Sequence, residues 1–380
     1  MKILADQNIP CIADAFGDLG EVVLMPGRDI KAEHLRDCQC LITRTVTRVD
    51  AALLENSPVE FVGTATIGTD HMDLDYLRQA GIGYTNAAGC NAEGAAEYVI
   101  SGLFELSRQR QFDPLQLKAG IVGFGNVGSR LHAKLAALGI DCLVCDPPLL
   151  QSGTSQQSFV SLDTILAECD FISLHVPLLR EGELATFHLL DATRLGSLGE
   201  DCVLVNAARG EVVDNVALLE LLRQRSGLSV YLDTWENEPL VSRELLQQVD
   251  LATPHIAGYS VEGRLRGAQM VLDAACAHFK QTSSWHMSAQ LPPRREIDCR
   301  GFGEGAAFWQ DLFNRHCDIR RDHDDFIDGL ALSDVAFATH FDSLRRVFPE
   351  RLEYDRFELQ VDAATQPVER LRQLGFVIKD

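Results

Sequence analysis

The sequence predicts an α/β protein with two doubly wound parallel sheets, followed by a C-terminal α+β region. Three observations support this fold class. The chain has 380 residues, which is too long for one typical hydrophobic core. Short apolar strands alternate with helical stretches twice, first over about residues 1–90 and again from about residue 119. From about residue 290 the alternation stops and arginine–aspartate neighbours become frequent.

The first series of elements begins at the N-terminus. Five short segments have the composition of strands: KILAD, EVVLM, CLITR, EFVGTA and IGYTN. Helical segments such as CIADAFGDLG and LDYLRQAG lie between them, which is typical of a parallel sheet with helices on its faces. Asn91 then precedes apolar residues at helical spacing from Ala95 to Leu106, so we expect it to cap a helix.

The second series predicts strands in AGIVGFG, DCLVCD, SFVSL, DFISLHVP, CVLVNAA, SVYLDTW and LATPH. An amphipathic helix, VEGRLRGAQMVLDAACAHFK, follows it. In the C-terminal region we expect helices at about 304–315, 324–328 and 337–347, and one strand in YDRFELQV. This region has no catalytic motif of its own.

Composition argues against several partners. The net charge of −21 and the pI near 4.9 would repel nucleic acid and anionic lipid, so we expect neither as a partner. The opening MKILADQNIP lacks the apolar run of a secretory signal, and no segment approaches the ~20 apolar residues of a membrane span. We therefore expect a cytoplasmic protein.

The eleven cysteines are scattered and form no disulfide framework. Cys142 and Cys145 form the one CxxC motif, but it lies in a predicted strand. Residues three apart in a strand point to opposite faces, so neither a metal site nor a redox pair is expected there. The sequence predicts no metal.

The segment AGIVGFGNVGSRLHAKLAALG reads as a strand, a glycine turn and a helix. Gly123, Gly125 and Gly128 form the pattern G-x-G-x-x-G, which in this Rossmann-like context indicates a dinucleotide site. The three glycines would permit the tight turn, the approach of a pyrophosphate and close helix–strand packing, respectively. The amides of Asn126 and Val127 would face the phosphates at the positive end of the helix.

Asp146 follows at the end of the next strand, in the position of the carboxylate that bonds an adenosine ribose. It would repel the additional phosphate of NADP. The next residues are Pro147 and Pro148, so no arginine is adjacent to bind that phosphate. NAD is therefore the expected cofactor. The competing interpretation is an ordinary turn aspartate before a proline.

Three candidate catalytic residues follow, each at the carboxyl end of a predicted strand. Arg209 lies in VNAARGEVVD, Glu238 in LDTWENEPL and His255 in TPHIAGYS. Read alone, His255 could be an ordinary core histidine, Glu238 a loop carboxylate and Arg209 part of a surface ion pair. Their shared sheet edge is where a nicotinamide would lie, and this favours a chemical role for all three.

These segments, together with the glycine turn and ATIGTDHMD upstream, resemble the D-isomer-specific 2-hydroxyacid dehydrogenases over residues 1–285. The resemblance implies a split substrate domain of residues 1–92 and 258–285. It also implies an inserted NAD-binding domain of residues 93–257 and a C-terminal dimerisation domain of residues 286–380. The expected protein is a homodimeric oxidoreductase that acts on a small phosphorylated hydroxy acid.

The resemblance also implies roles for the three catalytic candidates. His255 would take the proton of the substrate's C2 hydroxyl, since imidazole titrates near ~6.5. Glu238 would hold the other ring nitrogen and stabilise the imidazolium. Arg209 would bind the substrate carboxylate through two parallel hydrogen bonds.

Further positions follow from the resemblance. Substrate contacts are expected from Thr45, Thr66 and Tyr259. Additional cofactor contacts are expected from Val176, Ala207, Asp233 and Gly258. The competing interpretations are turn hydroxyls for the threonines, aromatic packing for the tyrosine and a plain strand-end aspartate for Asp233. The substrate phosphate would need cationic donors, for which the sequence offers Arg44, Arg48, Arg345 and Arg346.

Two alternatives remain open from the sequence. One is an enzyme of the same family that acts on 3-phosphoglycerate, glycerate or a larger hydroxy acid. The other is a non-catalytic NAD-sensing scaffold, which can retain all three candidate residues. A formate dehydrogenase is disfavoured, because those enzymes pair the histidine with glutamine where this chain has Glu238.

Overall fold

Two parallel sheets with helices on their faces form the framework of the protein, which confirms the predicted α/β class. A computed structural model describes residues 1–347, 350–362 and 366–379. The first sheet has five strands in the order β2-β1-β3-β4-β5, and the second has six in the order β11-β10-β9-β8-β6-β7. A third, three-stranded sheet has the order β12-β13-β14.

The strands are β1 (Lys2–Asp6), β2 (Glu21–Met25), β3 (Cys40–Thr43), β4 (Phe61–Thr64), β5 (Gly83–Asn86), β6 (Lys118–Val122), β7 (Asp141–Cys145), β8 (Phe171–Leu174), β9 (Val203–Asn206), β10 (Ser229–Leu232), β11 (Leu251–Ala252), β12 (Arg295–Asp298), β13 (Phe357–Gln360) and β14 (Val377–Ile378). The helices are α1 (Ile12–Phe16), α2 (Ala51–Leu54), α3 (Leu74–Ala80), α4 (Ala92–Arg110), α5 (Asn126–Ala137), α6 (Pro147–Ser152), α7 (Leu162–Glu168), α8 (Ala192–Gly196), α9 (Asn215–Leu222), α10 (Arg243–Gln248), α11 (Val261–Phe279), α12 (Ala306–His316), α13 (Ile319–Ile327), α14 (Asp334–Arg346) and α15 (Val368–Leu374).

The first compact unit consists of Met1–Ala92 and Ser260–Pro293, and it contains the five-stranded sheet. Helix α11 returns to this sheet late in the chain. Its buried residues Ala268, Val271 and Leu272 pack with Ile3 and Ile42 of the strands. Strand β2 lies on one side of β1 and β3 lies on the other, so the order of strands in the sheet changes direction between β1 and β3. The loops after these two strands therefore meet at a topological switch point.

The second compact unit consists of Glu93–Tyr259 together with the C-terminal region from Arg294. Its six-stranded sheet is parallel throughout, and its order reverses between β6 and β8. The carboxyl ends of all six strands therefore lie on one edge. The glycine turn follows β6 at the switch point, which is where doubly wound sheets bind ligands.

The C-terminal region packs into the core of this second unit. Phe326 of α13 lies 5.8 Å from the ring of Trp235, and Phe313 of α12 lies 4.9 Å from that of Phe104. A buried hydrogen bond of 2.8 Å joins the hydroxyl of Tyr98 to Asp322. These contacts explain why the region belongs to the same compact unit as the six-stranded sheet.

Several element boundaries differ from the sequence predictions. The segment SFVSL is not a strand: Val160 donates one hydrogen bond of 2.8 Å to Val144, and Leu162 already begins α7. In the C-terminal region, the helix predicted at 324–328 begins at Ile319, and β13 begins only at Phe357. The flanking strands β12 and β14 were not predicted.

All eleven cysteines are free thiols. Burial raises the pKa of Cys142 to about 12 and that of Cys145 to about 11, so both thiols are neutral at pH 7. Within the described residues, no helix is both long enough and apolar enough to cross a membrane.

Candidate active site

His255 and Glu238 form a hydrogen-bonded pair at the carboxyl edge of the six-stranded sheet. The distance from His255 Nδ1 to Glu238 Oε2 is 2.8 Å. His255 has a φ of 57°, in the left-handed region, which turns its side chain out of the strand-end loop. The side chain is 32% exposed. Because Nδ1 is engaged by Glu238, Nε2 is the nitrogen left to exchange a proton with a substrate.

The Glu238 carboxylate is held at both oxygens. Oε1 accepts a 2.9 Å hydrogen bond from the backbone N–H of Trp235, and Oε2 faces His255. Burial acts to raise the pKa of Glu238. The charge of His255, its hydrogen bond and that of Trp235, and the charge of Arg345 outweigh burial, so the pKa is lowered overall. An ionised Glu238 is suited to orient the imidazole and to stabilise its protonated form.

Asp233 holds the loop that carries His255. Its Oδ1 accepts hydrogen bonds from the hydroxyl of Thr253 at 2.6 Å and the N–H of Ile256 at 2.8 Å. Oδ2 accepts from the N–H of Ala257 at 3.0 Å. The side chain is 1% exposed. The sequence suggested a cofactor contact for Asp233, and the structure adds this support of the catalytic loop.

Arg209 lies in the loop after β9, where Asn206 shapes the backbone. The Asn206 amide donates to the carbonyl of Arg209 at 2.9 Å and accepts from the N–H of Ala208 at 3.1 Å. A Cβ atom on Gly210 would collide with the backbone of Trp235. Glycine therefore allows the Arg209 loop to lie directly against the loop that carries Glu238.

The glycine turn after β6 fits a dinucleotide. A Cβ atom on Gly123 would lie 2.7 Å from the backbone of His175, and one on Gly128 would collide with the carbonyl of Gly123. Gly125 is different, since a Cβ atom there would meet nothing within 4 Å. The space above Gly125 is open to a pyrophosphate. Gly125 is also the N-cap of α5 and has no side chain to satisfy the first amides, at Asn126 and Val127.

Asp146 lies at the end of β7, next to the glycine turn. Its Oδ2 accepts from the N–H of Phe124 at 2.7 Å, and its Oδ1 accepts from the N–H of Leu149 at 2.9 Å as the N-cap of α6. Each carboxylate oxygen retains capacity for a further hydrogen bond, so the residue can also accept from a ribose.

The other expected cofactor positions lie along the same edge. Val176 follows β8, Ala207 follows β9, and Gly258 lies three residues after His255. A Cβ atom on Gly123 would also lie 3.0 Å from the Val176 side chain, so Val176 borders the glycine turn. The structure therefore brings every expected cofactor residue to the carboxyl edge of this one sheet.

Tyr259 ends the catalytic loop, and α14 of the C-terminal region lies beside it. The guanidinium carbon of Arg345 is 5.8 Å from the centre of the Tyr259 ring and 5.7 Å from that of Phe341. Burial acts to lower the pKa of Arg345, but Tyr259 and Glu238 outweigh it and raise the pKa. Arg345 is therefore a charged group close to the pair formed by His255 and Glu238.

The two threonines expected to contact substrate belong to the first unit. Thr45 follows β3 and is exposed, and Thr66 follows β4 and is partly buried. Both lie at the carboxyl edge of the five-stranded sheet. The Thr66 hydroxyl lies 2.8 Å from that of Thr64.

Some supporting residues were not found from the sequence. Asn206 had a usable signal, since it is a polar residue that ends the apolar run VLVN. Arg351 had none. Its guanidinium lies 4.2 Å from the centre of the Tyr98 ring and donates to the carbonyl of Ala257, a contact that spans 94 residues of sequence.

Comparisons with known proteins agree with this geometry. Residues 91–257 match the family described as D-isomer specific 2-hydroxyacid dehydrogenase, NAD binding domain. Erythronate-4-phosphate dehydrogenase of Chromohalobacter salexigens is 44% identical over 384 residues, covering 100% of this chain and 99% of the relative. The enzyme of the same name from Proteus mirabilis is 41% identical over 377 residues, covering 99% of each chain.

Solved structures match about three quarters of the chain. The TT0316 protein of Thermus thermophilus is 26% identical with a TM-score of 0.63, covering 74% of this chain and 97% of that one. NAD-bound 3-phosphoglycerate dehydrogenase of Entamoeba histolytica has the same fold, with 22% identity and a TM-score of 0.63, covering 75% of this chain and 99% of that one.

The fold, the glycine turn and the family match define an NAD-dependent 2-hydroxyacid dehydrogenase. NAD is its cofactor. Within this class, the chain belongs to the erythronate-4-phosphate dehydrogenase family.

Proposed function

We propose that this enzyme oxidises 4-phospho-D-erythronate at C2, forming 2-oxo-3-hydroxy-4-phosphobutanoate in the biosynthesis of pyridoxal 5′-phosphate. The relatives matched over the full chain support the substrate, since they carry the name of this activity. The observation that carries the chemistry is the 2.8 Å pair of His255 and Glu238 beside the cofactor edge.

The proposed reaction divides the work among three side chains. Arg209 binds the substrate carboxylate and orients C2. His255 Nε2 accepts the proton of the C2 hydroxyl, and Glu238 stabilises the resulting imidazolium through Nδ1–H. When bound, oxidised NAD supplies the acceptor for the hydride that leaves C2. The C2 hydrogen leaves as a hydride and the hydroxyl hydrogen leaves as a proton to His255, so the two electrons and two protons lost by the alcohol are accounted for.

The test is NADH fluorescence after mixing enzyme, NAD and 4-phospho-D-erythronate, at enzyme concentrations high enough to see one turnover. Glycerate and 3-phosphoglycerate are run in parallel. We expect a signal with phosphoerythronate alone, and a rate about 10²–10⁴ lower in His255→Ala, which is the range for loss of a general base. NAD affinity of the variant is measured separately and should be unchanged.

Other outcomes have clear meanings. A burst without sustained turnover would support the substrate and indicate that NADH stays bound. A signal with glycerate or 3-phosphoglycerate, and none with phosphoerythronate, would identify that compound as the substrate instead. No signal with any of the three compounds, in a protein that binds NAD, would favour a different hydroxy acid as substrate or the NAD-sensing scaffold.

We propose Thr45, Thr66 and Tyr259 as substrate contacts and Asp146 as the ribose contact.

Among the four candidate arginines, Arg345 is the one we propose for the substrate phosphate. Arg44 and Arg48 are each paired with an aspartate at 2.8 Å, Asp6 and Asp50 respectively. The Arg345 side chain bonds Tyr259, but its Nε is buried and has no hydrogen-bond partner among the described residues.

The neighbouring Arg346 provides a matched control for the replacement of Arg345. Arg345→Met should raise the KM for phosphoerythronate by about tenfold or more, on the scale of one lost charged hydrogen bond. Arg346→Met should leave it near the wild-type value, because Arg346 is exposed. The reverse pattern would assign the phosphate to Arg346.

We also propose a cytoplasmic homodimer that associates through the C-terminal region. Val335 is 80% exposed and Val347 is 71% exposed, at the two ends of α14. These two exposed positions are suitable sites for substitutions that test the interface. Light scattering of the intact protein should give twice the chain mass, and Val335→Glu should shift it towards the monomer; a monomeric wild type would contradict the proposal.

A further inference from the structure

Three side chains at the end of β4 form a hydrogen-bonded chain that leads to Thr66. His71 Nε2 lies 3.1 Å from Thr64 Oγ1, and Thr64 Oγ1 lies 2.8 Å from Thr66 Oγ1. Thr64 is fully buried. His71 belongs to the ATIGTDHMD segment, in which the sequence indicated a role for Thr66 alone.

The backbone around this chain is held from both sides. The N–H of Val49 donates to the carbonyl of His71 at 2.8 Å, and the N–H of Asp73 donates back to Val49 at 2.8 Å. The Asn86 amide donates to the carbonyl of Ile67 at 2.6 Å. The positions of His71 and Thr66 are therefore set by the backbone, and the hydroxyl directions are left to the side-chain hydrogen bonds.

The direction of these bonds depends on which ring nitrogen of His71 carries the proton. With the proton on Nε2, His71 donates to Thr64, Thr64 donates to Thr66, and the Thr66 hydrogen points outward. With the proton on Nδ1, every bond reverses and Thr66 donates inward. His71 Nδ1 is buried and has no hydrogen-bond partner among the described residues. A buried N–H without an acceptor is the costlier alternative, so the proton belongs on Nε2.

The charge state of His71 agrees with this direction. Burial lowers its pKa to about 4, against the opposing charge of Asp70. The ring is therefore neutral at pH 7, and a single tautomer is the relevant choice. Protonation would add an N–H at Nδ1 that lacks an acceptor among the described residues.

We propose that His71 is a positioning residue that acts through Thr64 to make Thr66 a hydrogen-bond donor towards substrate. This inference rests on the proposed function, in which Thr66 contacts the substrate. A fixed donor selects an anionic oxygen and disfavours a ligand that presents its own hydroxyl hydrogen. The substrate offers two groups with such oxygens, its carboxylate and its phosphate.

The first experiment reads the tautomer in the intact wild-type enzyme without substrate. Long-range proton–nitrogen correlation spectra of ¹⁵N-histidine-labelled protein at pH 7 distinguish Nε2–H from Nδ1–H, and His71→Gln identifies the His71 signals. We expect the Nε2–H form. A ring protonated at Nδ1 would overturn the proposal, whatever the enzyme's substrate proves to be.

The second experiment breaks the chain at its middle. Thr64→Val keeps the shape but removes the hydroxyl, so the KM for phosphoerythronate should rise by roughly three- to tenfold with little change in kcat or NAD affinity. Thr64→Ser should have a KM near the wild-type value, because serine retains the hydroxyl donor. His71→Gln should likewise have a lower KM than His71→Leu, because glutamine retains a donor and leucine does not. An unchanged KM in Thr64→Val would overturn the proposal.

Two further arms separate the possible failures. Thr66→Val with an unchanged KM would remove Thr66 from the substrate site, which is a failure of the proposed function. A raised KM in Thr66→Val but not in Thr64→Val would overturn the inference about His71 alone. Inhibition by erythronate and by inorganic phosphate identifies the oxygen: Thr64→Val should weaken erythronate if Thr66 contacts the carboxylate, and phosphate if it contacts the phosphoryl group.

Discussion

The Asp233 carboxylate accepts three hydrogen bonds from residues 253–257, and it does so while almost completely buried. Burial raises the pKa of Asp233, although His255, Thr253 and the two amides act to lower it. A buried carboxylate of this kind is costly without its partners. Its partners are the backbone of the catalytic loop, so the loop and the carboxylate depend on each other.

We therefore expect Asp233→Asn to affect both stability and catalysis. The amide cannot accept all three bonds, so unfolding free energy should fall by about 1–3 kcal/mol and kcat should fall at least about tenfold as His255 loses its support. Urea unfolding and steady-state kinetics measure the two effects. Asp170→Asn is the control: Asp170 accepts from Lys118 at 2.9 Å at the opposite sheet edge, and kcat should be normal there. A normal kcat in both variants would contradict the supporting role.

At the scale of elements, the turn between β6 and α5 contains glycines that the fold requires and one, Gly125, that the fold does not require. Gly128 has the carbonyl of Gly123 where a Cβ atom would go, whereas Gly125 faces open space. A single methyl group at each position thus tests a different property of the same turn.

Gly125→Ala should fold with a melting temperature near that of the wild type but bind NAD at least about tenfold more weakly, because the methyl group occupies the space for the pyrophosphate. Gly128→Ala should lose about 3 kcal/mol or more of stability through overlap with the turn. Calorimetric unfolding and NAD titration distinguish the two. Equal destabilisation by both variants would show that the open space above Gly125 has no special relation to the cofactor.

Elements with strong periodicity could be predicted from the sequence, and those set by long-range contacts could not. The central strands of both large sheets, such as β3 and β9, are short runs of mostly apolar and fully buried residues, as expected for parallel strands buried on both faces. SFVSL looked similar, but Ser161 caps α7 by accepting from the N–H of Thr164, which ends the extended segment. Strand β12 reads REID, with only Ile297 buried, so its sequence lacks a strand pattern.

The same distinction between local sequence patterns and long-range contacts applies to the candidate site. The order of the glycine turn, Arg209, Glu238 and His255 along the chain sufficed to predict a shared sheet edge, because parallel strands align their carboxyl ends. The support from Arg351 and Arg345 comes from the C-terminal region. No local pattern marks Arg351. The sequence named Arg345 only as one of four arginines that could bind the phosphate, and its place beside Tyr259 depends on how that region packs.

At the scale of the whole molecule, a buried polar cluster joins the NAD-binding sheet to the C-terminal region. Lys134 of α5 donates to Glu97 of α4 at 3.2 Å and to the carbonyl of Leu374 at 2.9 Å. The N–H of Tyr354 lies 3.2 Å from both oxygens of Glu97. Burial raises the pKa of Glu97 to about 8, although Lys134 acts to lower it.

This raised pKa predicts a pH dependence of stability. The contribution of Glu97 is fully present below its usual pKa of 4.5 and is lost as pH rises towards about 8, because only the unfolded chain releases the proton in that window. Glu97→Gln should remove this decline, so the variant should gain on the order of 1–3 kcal/mol relative to the wild type across the window. Urea unfolding of both proteins at several pH values measures the difference; parallel pH profiles would contradict it.

Asp146 links cofactor choice to the integrity of the fold. A change of cofactor from NAD to NADP would require the loss of the negative charge of Asp146, so that a 2′-phosphate is no longer repelled. Asparagine would keep only one acceptor oxygen, so the amide of Phe124 or that of Leu149 would lose its partner, and an apolar residue would leave α6 without its cap as well. A cofactor switch would therefore begin with a loss of stability of about 1 kcal/mol or more. Selection for folding would then act in the same direction as the proposed ribose contact, because both favour a carboxylate at this position.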